Sequence, residues 1–405
     1  MTRLDRKTSV TWQGGTHSVS TTAAAHRVHN LSKNPEQAVV IPNASYVGKF
    51  QPSPARPGGR FGALSFSREI RGSATSSVPP ADGALLRACA FTEAASGVAF
   101  HYTLGDMHLY GTGPSDAGIL SPVDLKMYQD GLYHLLNNAV GTVTVNFIAG
   151  EIPTYDFSFR GQVDDSLKGG IEGTPAALAS EANPKPCFSH GLSVVITRTG
   201  TVTGTVTGTT STTVCIDSAA TYITDDVLYG DAMELDVGGE TATVVSVDSE
   251  TQITTTTLSG AGSYDSAEAY TITRGTTYTT TSMIVPRISY GVNNLIDPRP
   301  DLSGESGFAQ PILGGRNPQI AMSVEIPTFE RLNFEREFIE ATTLLISGTH
   351  QNGDGIGYEL VYSFSAKIVA MPDPVEVNGK LNYAILMEQG IESGDTAFTL
   401  QWKGA

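Results

Sequence analysis

Apolar and polar positions alternate with a period of two through long stretches of this chain. Leu64 and Phe66 alternate with Ser65 and Ser67 and run on to Ile70, which reads as a strand with one apolar face. Val143, Val145 and Phe147 alternate with Thr142, Thr144 and Asn146. After a turn at Ala149-Gly150-Glu151, Tyr155, Phe157 and Phe159 alternate with Asp156, Ser158 and Arg160. These two segments predict an antiparallel hairpin lying on a core. Between Val123 and Leu136 the pattern fits either a helix or a hairpin turning at Asp130-Gly131. Asp-Gly suits a two-residue turn and Gly is poor inside a helix, so the hairpin is preferred. A short helix is expected across Pro80 to Phe91, with prolines at its start.

The second half repeats this grammar. Ile320, Met322, Val324 and Ile326 form an alternating strand, and Pro327-Thr328 then opens a helix with Thr328 placed as its cap. That helix carries Phe329, Leu332, Phe334, Phe338 and Ile339. Three strands follow: Tyr358 through Ile368, then Leu381, Tyr383, Ile385 and Met387, then Phe398, Leu400 and Trp402. Both halves therefore read as strand, helix, then several antiparallel strands. The local match of 156–160 to 361–365 points to a duplication.

A segment of different composition lies between the halves. It is Thr-rich from Gly200, then carries Met233, Leu235 and Val237, a Gly238-Gly239 turn, and Ala242, Val244 and Val247. Ile253, Tyr270 and Ile272 add further strands. Leu192, Val194 and Ile196 precede it, and Met283, Val285 and Ile288 follow. The expected organisation is an extended or mobile arm over 1–35, a first β domain over 36–180, and a second over 181–198 and 280–405. A small β-barrel or sandwich over 199–279 is inserted near the tip of a strand pair in the second domain. The expected class is mainly β.

Composition narrows the function. The net charge is −16, which argues against gripping nucleic acid through its phosphates but permits a wall past which it slides. Cys89, Cys187 and Cys215 are far apart and read as free thiols. The polar start is not followed by an apolar stretch of signal-peptide type, and no apolar run reaches the ~20 residues of a membrane span. No phosphate loop or nucleophile elbow is present: the glycines at 200, 204 and 208 sit in a Thr-Val repeat, and Gly304 to Gly307 lacks the second glycine of an elbow. His101 and His108 have no further metal ligands near them in sequence. Asn352 to Gly355 resembles a calcium loop without its closing Glu, and the adjacent pairs Asp164-Asp165 and Asp225-Asp226 splay apart on an extended chain. No catalytic, cofactor or metal site is expected.

Two long loops stand out, 51–59 and 297–318. The second carries Pro298, Arg299, Asp301, Phe308, Ile312, Leu313 and Arg316. Structureless loops of that length are uncommon in compact domains unless functional, and apolar side chains on one predict an arm packing on a neighbouring subunit.

Three stretches resemble the tail tube proteins of long-tailed, non-contractile bacteriophages. They are Tyr128 to His134 followed by Gly141 to Gly150, Phe157 to Gly161, and the strand-helix-strand ending from Gln319 to Trp402. The resemblance implies two β-sandwich domains, each with a flanking helix, whose inner strands join neighbours into a barrel around a channel. It implies trimeric, pseudo-hexameric rings that stack through the 297–318 loop, with the insert projecting outward. It also implies a virion tail assembled in the host cytoplasm. Tape measure and terminator proteins would be partners, and DNA would cross the lumen without specific binding. The competing expectations are a phage decoration or carbohydrate-binding protein, using Tyr222, Tyr229, Tyr264 and Tyr270 of the insert, and a β-rich hydrolase.

Overall fold

Alternation along the sequence becomes cross-strand pairing in space. A computed structural model describes residues 8–14, 26, 28–41, 56–72, 79–96, 99–104, 121–129, 132–163, 184, 186–187, 192–196, 201–208, 211–225, 227–236, 238–274, 276–279, 284–303, 307–325, 334–339, 341, 343–351, 359–377, 380–389 and 398–403. The protein is mainly β. The first half forms β1 (Thr8–Gly14), β2 (His29–Ile41), β3 (Arg56–Glu69), α1 (Gly83–Ala88), β4 (Phe91–Ser96), β5 (Ala99–Leu104), β6 (Val123–Gln129), β7 (Leu132–Ile148) and β8 (Thr154–Val163). After β9 (Ser193–Ile196) come the strands of the insert: β10 (Thr201–Thr205), β11 (Val214–Ile216), β12 (Ala232–Leu235), β13 (Thr241–Ser249), β14 (Gln252–Thr255) and β15 (Ala269–Thr273). The chain continues through β16 (Thr276–Thr279), β17 (Arg287–Gly291), β18 (Asn294–Pro300), β19 (Phe308–Arg316), β20 (Gln319–Glu325) and α2 (Phe334–Ile339). It ends with β21 (Thr343–Gln351), β22 (Glu359–Ile368), β23 (Asp373–Val377), β24 (Lys380–Gln389) and β25 (Phe398–Lys403).

The hairpin reading of 123–136 holds, since Gln129 pairs with Leu132 across Asp130-Gly131. The β7–β8 hairpin sets Val143 opposite Phe157 and Val145 opposite Tyr155, all buried. Gly141 permits this close packing, because a Cβ there would lie 2.5 Å from the Phe159 ring. Helix α1 is shorter than expected. Ala90 turns to φ 68° behind it, and Phe91 already belongs to β4.

Eight strands form one antiparallel run in the order β2-β3-β8-β7-β17-β20-β24-β23. A second run, β16-β9-β21-β22-β25-β5-β4, is joined to it where Ala366–Ile368 of β22 pairs with Met387–Gln389 of β24. One apolar core reaches from Val10 to Trp402. Its aromatic side chains stack across strands: Phe147 lies on Tyr362 at 4.7 Å, and Tyr290 on Phe398 at 3.7 Å. The halves are therefore interleaved: β17 joins β7, β25 joins β5, and the expected pair of separate sandwiches shares a single interior.

Several further expectations are corrected. Part of the 1–35 arm is built into the fold, since β1 pairs with β6 and buries Val10 and Trp12. Trp12 stacks on His26 at 3.8 Å, and its indole N–H donates to the Ala81 carbonyl. The expected loop at 51–59 is strand from Arg56, because β3 starts there and pairs with β2. Residues Thr276–Thr279 pair with β9 in the large sheet, so the insert ends before them. Leu381 and Ile339 are exposed, each at the end of its element where the alternation no longer meets the core. Ile326, Phe329, Leu332, Tyr358 and the proposed cap Thr328 lie outside the described residues.

The insert has its own core and its own sheet order, β10-β15-β12-β13-β14-β11. The ends of that order meet where the Thr207 and Gly208 amides donate to the Ile216 carbonyl, closing a small barrel. Gly238 and Gly239, at φ 96° and 65°, make the turn before β13. Inside the barrel, Tyr222 donates to Tyr270 (2.7 Å), and Tyr270 donates to Asp217 (2.9 Å). Tyr270→Phe removes the donor to a buried carboxylate and is expected to cost the module about 1–2 kcal/mol, read by thermal unfolding.

Candidate functional site

The eight-stranded run has two features that matter for function. Its first four strands (β2-β3-β8-β7) and its last four (β17-β20-β24-β23) take up the chain in the same order. In each set an early pair is followed by a helix, and a late hairpin then inserts with its second strand innermost. The two sets meet head to tail at β7–β17, where Thr144–Ile148 of β7 pairs with Arg287–Gly291. Among the described residues, β2 and β23 carry a ladder on one side only. The run thus contains one junction of last strand to first strand and leaves the same two kinds of edge open at its ends.

The backbone of the β23 edge can be read from its register. Val377 pairs with Lys380 across two residues, and Val375 with Asn382. A two-residue hairpin closes on a hydrogen-bonded pair, so Val377 and Val375 bond to β24 while Glu376 and Pro374 direct their backbones outward. Pro372 and Pro374 have no N–H, which blunts the start of the edge and leaves its open part beside the hairpin turn. The β7–β17 junction likewise uses the end of β7 next to its turn.

One face of the run packs on the core, and the other is solvent-facing and rich in small polar side chains. Ser65, Ser67, Ser158, Thr142, Thr144, Ser289, Ala321, Ser323 and Ala384 lie on it. Ser65 donates to Ser158 (3.0 Å), and the Asn146 amide donates to Asp156 (2.7 Å). Glu69, Asp156, Glu325, Asp373 and Glu388 lie on this face; Glu325 is paired with Lys380 (3.1 Å) and Glu69 with Arg71, Lys367 stands opposite Glu388, and Arg160 and Arg287 are nearby, so carboxylates and cations are interspersed.

The 297–318 segment is corrected from a structureless loop to a paired hairpin, β18–β19. Its apolar side chains are used within the chain: Phe308 meets Phe61 edge-on at 5.3 Å, and Ile296 and Leu313 pack with Ala90. The hairpin is pinned from below. Arg160 donates to the Ile296 carbonyl (3.1 Å) and Gln162 to that of Phe308 (2.7 Å), while Asn294 donates to the carbonyls of Cys89 (3.0 Å) and Gly141 (2.9 Å). Asn294→Ala is expected to cost about 1–3 kcal/mol and to speed proteolysis near Pro300. Of the residues expected on a stacking arm, Phe308 is buried, whereas Pro298, Ile312 and Arg316 are half-buried. Arg316 donates to Asn294 (3.2 Å). Arg299 is exposed beside the tip, where Asp301 accepts bonds from the Ser303 hydroxyl and amide that hold its carboxyl below the usual range. Leu302, which the sequence reading passed over, is fully exposed there.

No protein-family model matches this chain, and no curated protein matches it.

Other candidates do not assemble. Among the described residues no group of three or more His, Cys, Asp or Glu is placed to hold a metal ion. His101 is hydrogen-bonded to Gln401, and Asp225 accepts from Thr221. His108, Asp164-Asp165 and Asn352 to Gly355 lie outside the described residues. The three cysteines are free and buried, and burial pushes the thiols of Cys187 and Cys215 up to about 11, so they are poor nucleophiles. Tyr222, Tyr264 and Tyr270 are core residues of the insert, not an exposed aromatic platform. No described helix is long and apolar enough to cross a membrane.

Proposed function

We propose that this chain is a structural subunit of a tail tube of the long-tailed, non-contractile phage type. In this reading it polymerises through its open strand edges into rings that stack around a channel for DNA. The observation that carries the reading is the head-to-tail β7–β17 junction inside one chain, with edges of the same two kinds left open at β2 and β23. The β23 edge of one copy pairs with the β2 edge of the next, repeating between chains what β7 and β17 do within one. Such a contact is heterologous and ends in a ring when the rotation closes.

The strand spacing favours three copies. At about 4.8 Å per strand, three copies of the run give a diameter of at least about 37 Å, and side chains on the wall leave a bore of roughly 25 Å. Two copies leave roughly 12 Å by the same estimate, narrower than a DNA duplex. The small hydroxyl-rich face lines the bore, and its mixed charges, with no cluster of cations among the described residues, give phosphates nothing to adhere to. The β18–β19 hairpin, anchored at its base and exposed at Leu302, is the contact between rings. Tape measure and terminator proteins are the partners at the ends of such a tube.

Sedimentation velocity and negative-stain microscopy of the purified chain test the reading. Threefold rings or tubes are expected; a monodisperse monomer at high concentration contradicts it. Leu302→Asp separates stacking from ring closure. Single rings are expected to persist while stacking weakens by about 1.5–3 kcal/mol per contact, the worth of one buried leucine. Normal tubes from that variant rule out the hairpin as the inter-ring contact.

A further inference from the structure

The charge of the chain is segregated. Residues 201–273 contain eleven Asp and Glu and no Lys, Arg or His, so the insert carries −11. The whole chain has 41 acidic and 25 basic residues, which leaves 30 against 25, or −5, for everything else. Glu234, Asp236, Asp248 and Asp265 stand exposed on the barrel, while Asp217 and Asp231 turn inward. The barrel offers little that would hold another protein. Its sheet is closed by the Thr207 and Gly208 bonds to Ile216, and among its described residues only Ile223 and Val245 are large exposed apolar side chains. The body differs: among the described residues both ends of its eight-stranded run are open, with exposed apolar residues beside one of them, Val375 and Leu381. Such edges pair indiscriminately unless something opposes the wrong approach.

We propose that the inserted barrel is an electrostatic spacer that keeps copies of this chain, and the assemblies they build, from adhering side by side. The inference rests on the self-assembly reading for its purpose, though its physics does not need a ring. At about 0.15 M salt the screening length is about 8 Å, so the spacer acts when two barrels come close and loses reach as salt rises. The partner it acts on is a second copy of the same chain, repelled by like charge.

Two variants test it. In the first, residues 201–273 are replaced by a two-residue Gly-Ser turn. Thr201 and Thr273 are cross-strand partners, as are Ile196 and Thr276, so the ends to be joined are adjacent. The second is the full chain with Glu234→Lys, Asp236→Lys and Asp265→Lys, which changes the barrel from −11 to −5. Light scattering between about 0.01 M and 0.15 M salt gives the second virial coefficient, and negative stain shows side-by-side contacts. The intact chain is expected to be repulsive at low salt. Repulsion scales with the square of the net charge, so going from −16 to −5 cuts its electrostatic part about tenfold in the deletion. Both variants are expected to adhere laterally at salt concentrations where the intact chain stays dispersed. A virial coefficient and dispersal unchanged in both variants overturn the spacer. A chain that never forms rings contradicts the tube reading alone, because the coefficient still reports repulsion between monomers.

Discussion

Replacing Glu376 by proline is expected to abolish ring formation while leaving the monomer folded. Glu376 lies on the exposed edge strand β23, opposite Leu381. By the register of the hairpin its N–H points away from β24, so its removal breaks no bond within the chain. The residue before it, Val375, is already in a strand, where proline's demand for an extended predecessor is met. The monomer should therefore change by less than about 1 kcal/mol in chemical unfolding. Between copies, the missing donor and the proline ring act at the centre of the β23–β2 ladder. A cost near 3 kcal/mol per junction corresponds to roughly a hundredfold weaker association. Glu376→Ala, which keeps the N–H, should assemble within about tenfold of the unaltered chain. Rings from the proline variant at unaltered concentration would mean that β23 is not the joining edge.

The largest effect on folding is expected at Asp82. It lies at the start of α1, yet its side chain makes no cap bond; it forms an ion pair with Arg68 of β3, both buried. The Arg68 guanidinium lies over the Trp12 ring at 4.8 Å, so the pair ties β1, β3 and α1 together. Tyr155 shares the same interior, and burial first, then the nearby Asp82 carboxylate, drives its phenol well above the ordinary value. Asp82→Ala deprives a buried guanidinium of its carboxylate and is expected to cost about 3–5 kcal/mol. Replacing Arg68 and Asp82 together by Met and Leu is expected to recover most of that loss, because apolar packing often equals a buried ion pair. Denaturant unfolding of the three variants reads both results. A single substitution costing under 1 kcal/mol would show that the pair does not organise this part of the core.

Local patterning made much of this fold legible. The alternation of Val143, Val145 and Phe147 against Tyr155, Phe157 and Phe159 specifies both strands and their facing partners, because period two fixes which side is buried. Asp130-Gly131 named its two-residue turn for the same local reason, whereas Gly238-Gly239 falls in a longer loop, since the Leu235 amide donates to the Glu240 carbonyl. Long-range pairing was less visible. Nothing in Arg287–Gly291 says that it joins β7 of the other half, since any one-sided strand fits any edge of matching register. The interleaving of the halves followed from such choices. The same limit explains the 297–318 segment. Its four prolines and its glycines read as breakers, but Asn294–Pro300 and Phe308–Arg316 pair around bulges that tolerate them. Trp12 was a visible cue, a large aromatic in a polar stretch, that the N-terminal segment is packed. The one-sided charge of 201–273 was also written in the sequence, and it becomes informative once the strand ladders mark where the barrel begins and ends.

A cryo-electron microscopy map of the purified assembly tests the edge-to-edge claim most directly. Three chains around an open bore are expected, with β23 of each chain hydrogen-bonded to β2 of the next and the Ser65, Ser158 and Ser323 face turned inward. A map in which β2 and β23 are both covered by their own chain, or in which that serine face is packed against protein with no bore, would contradict it.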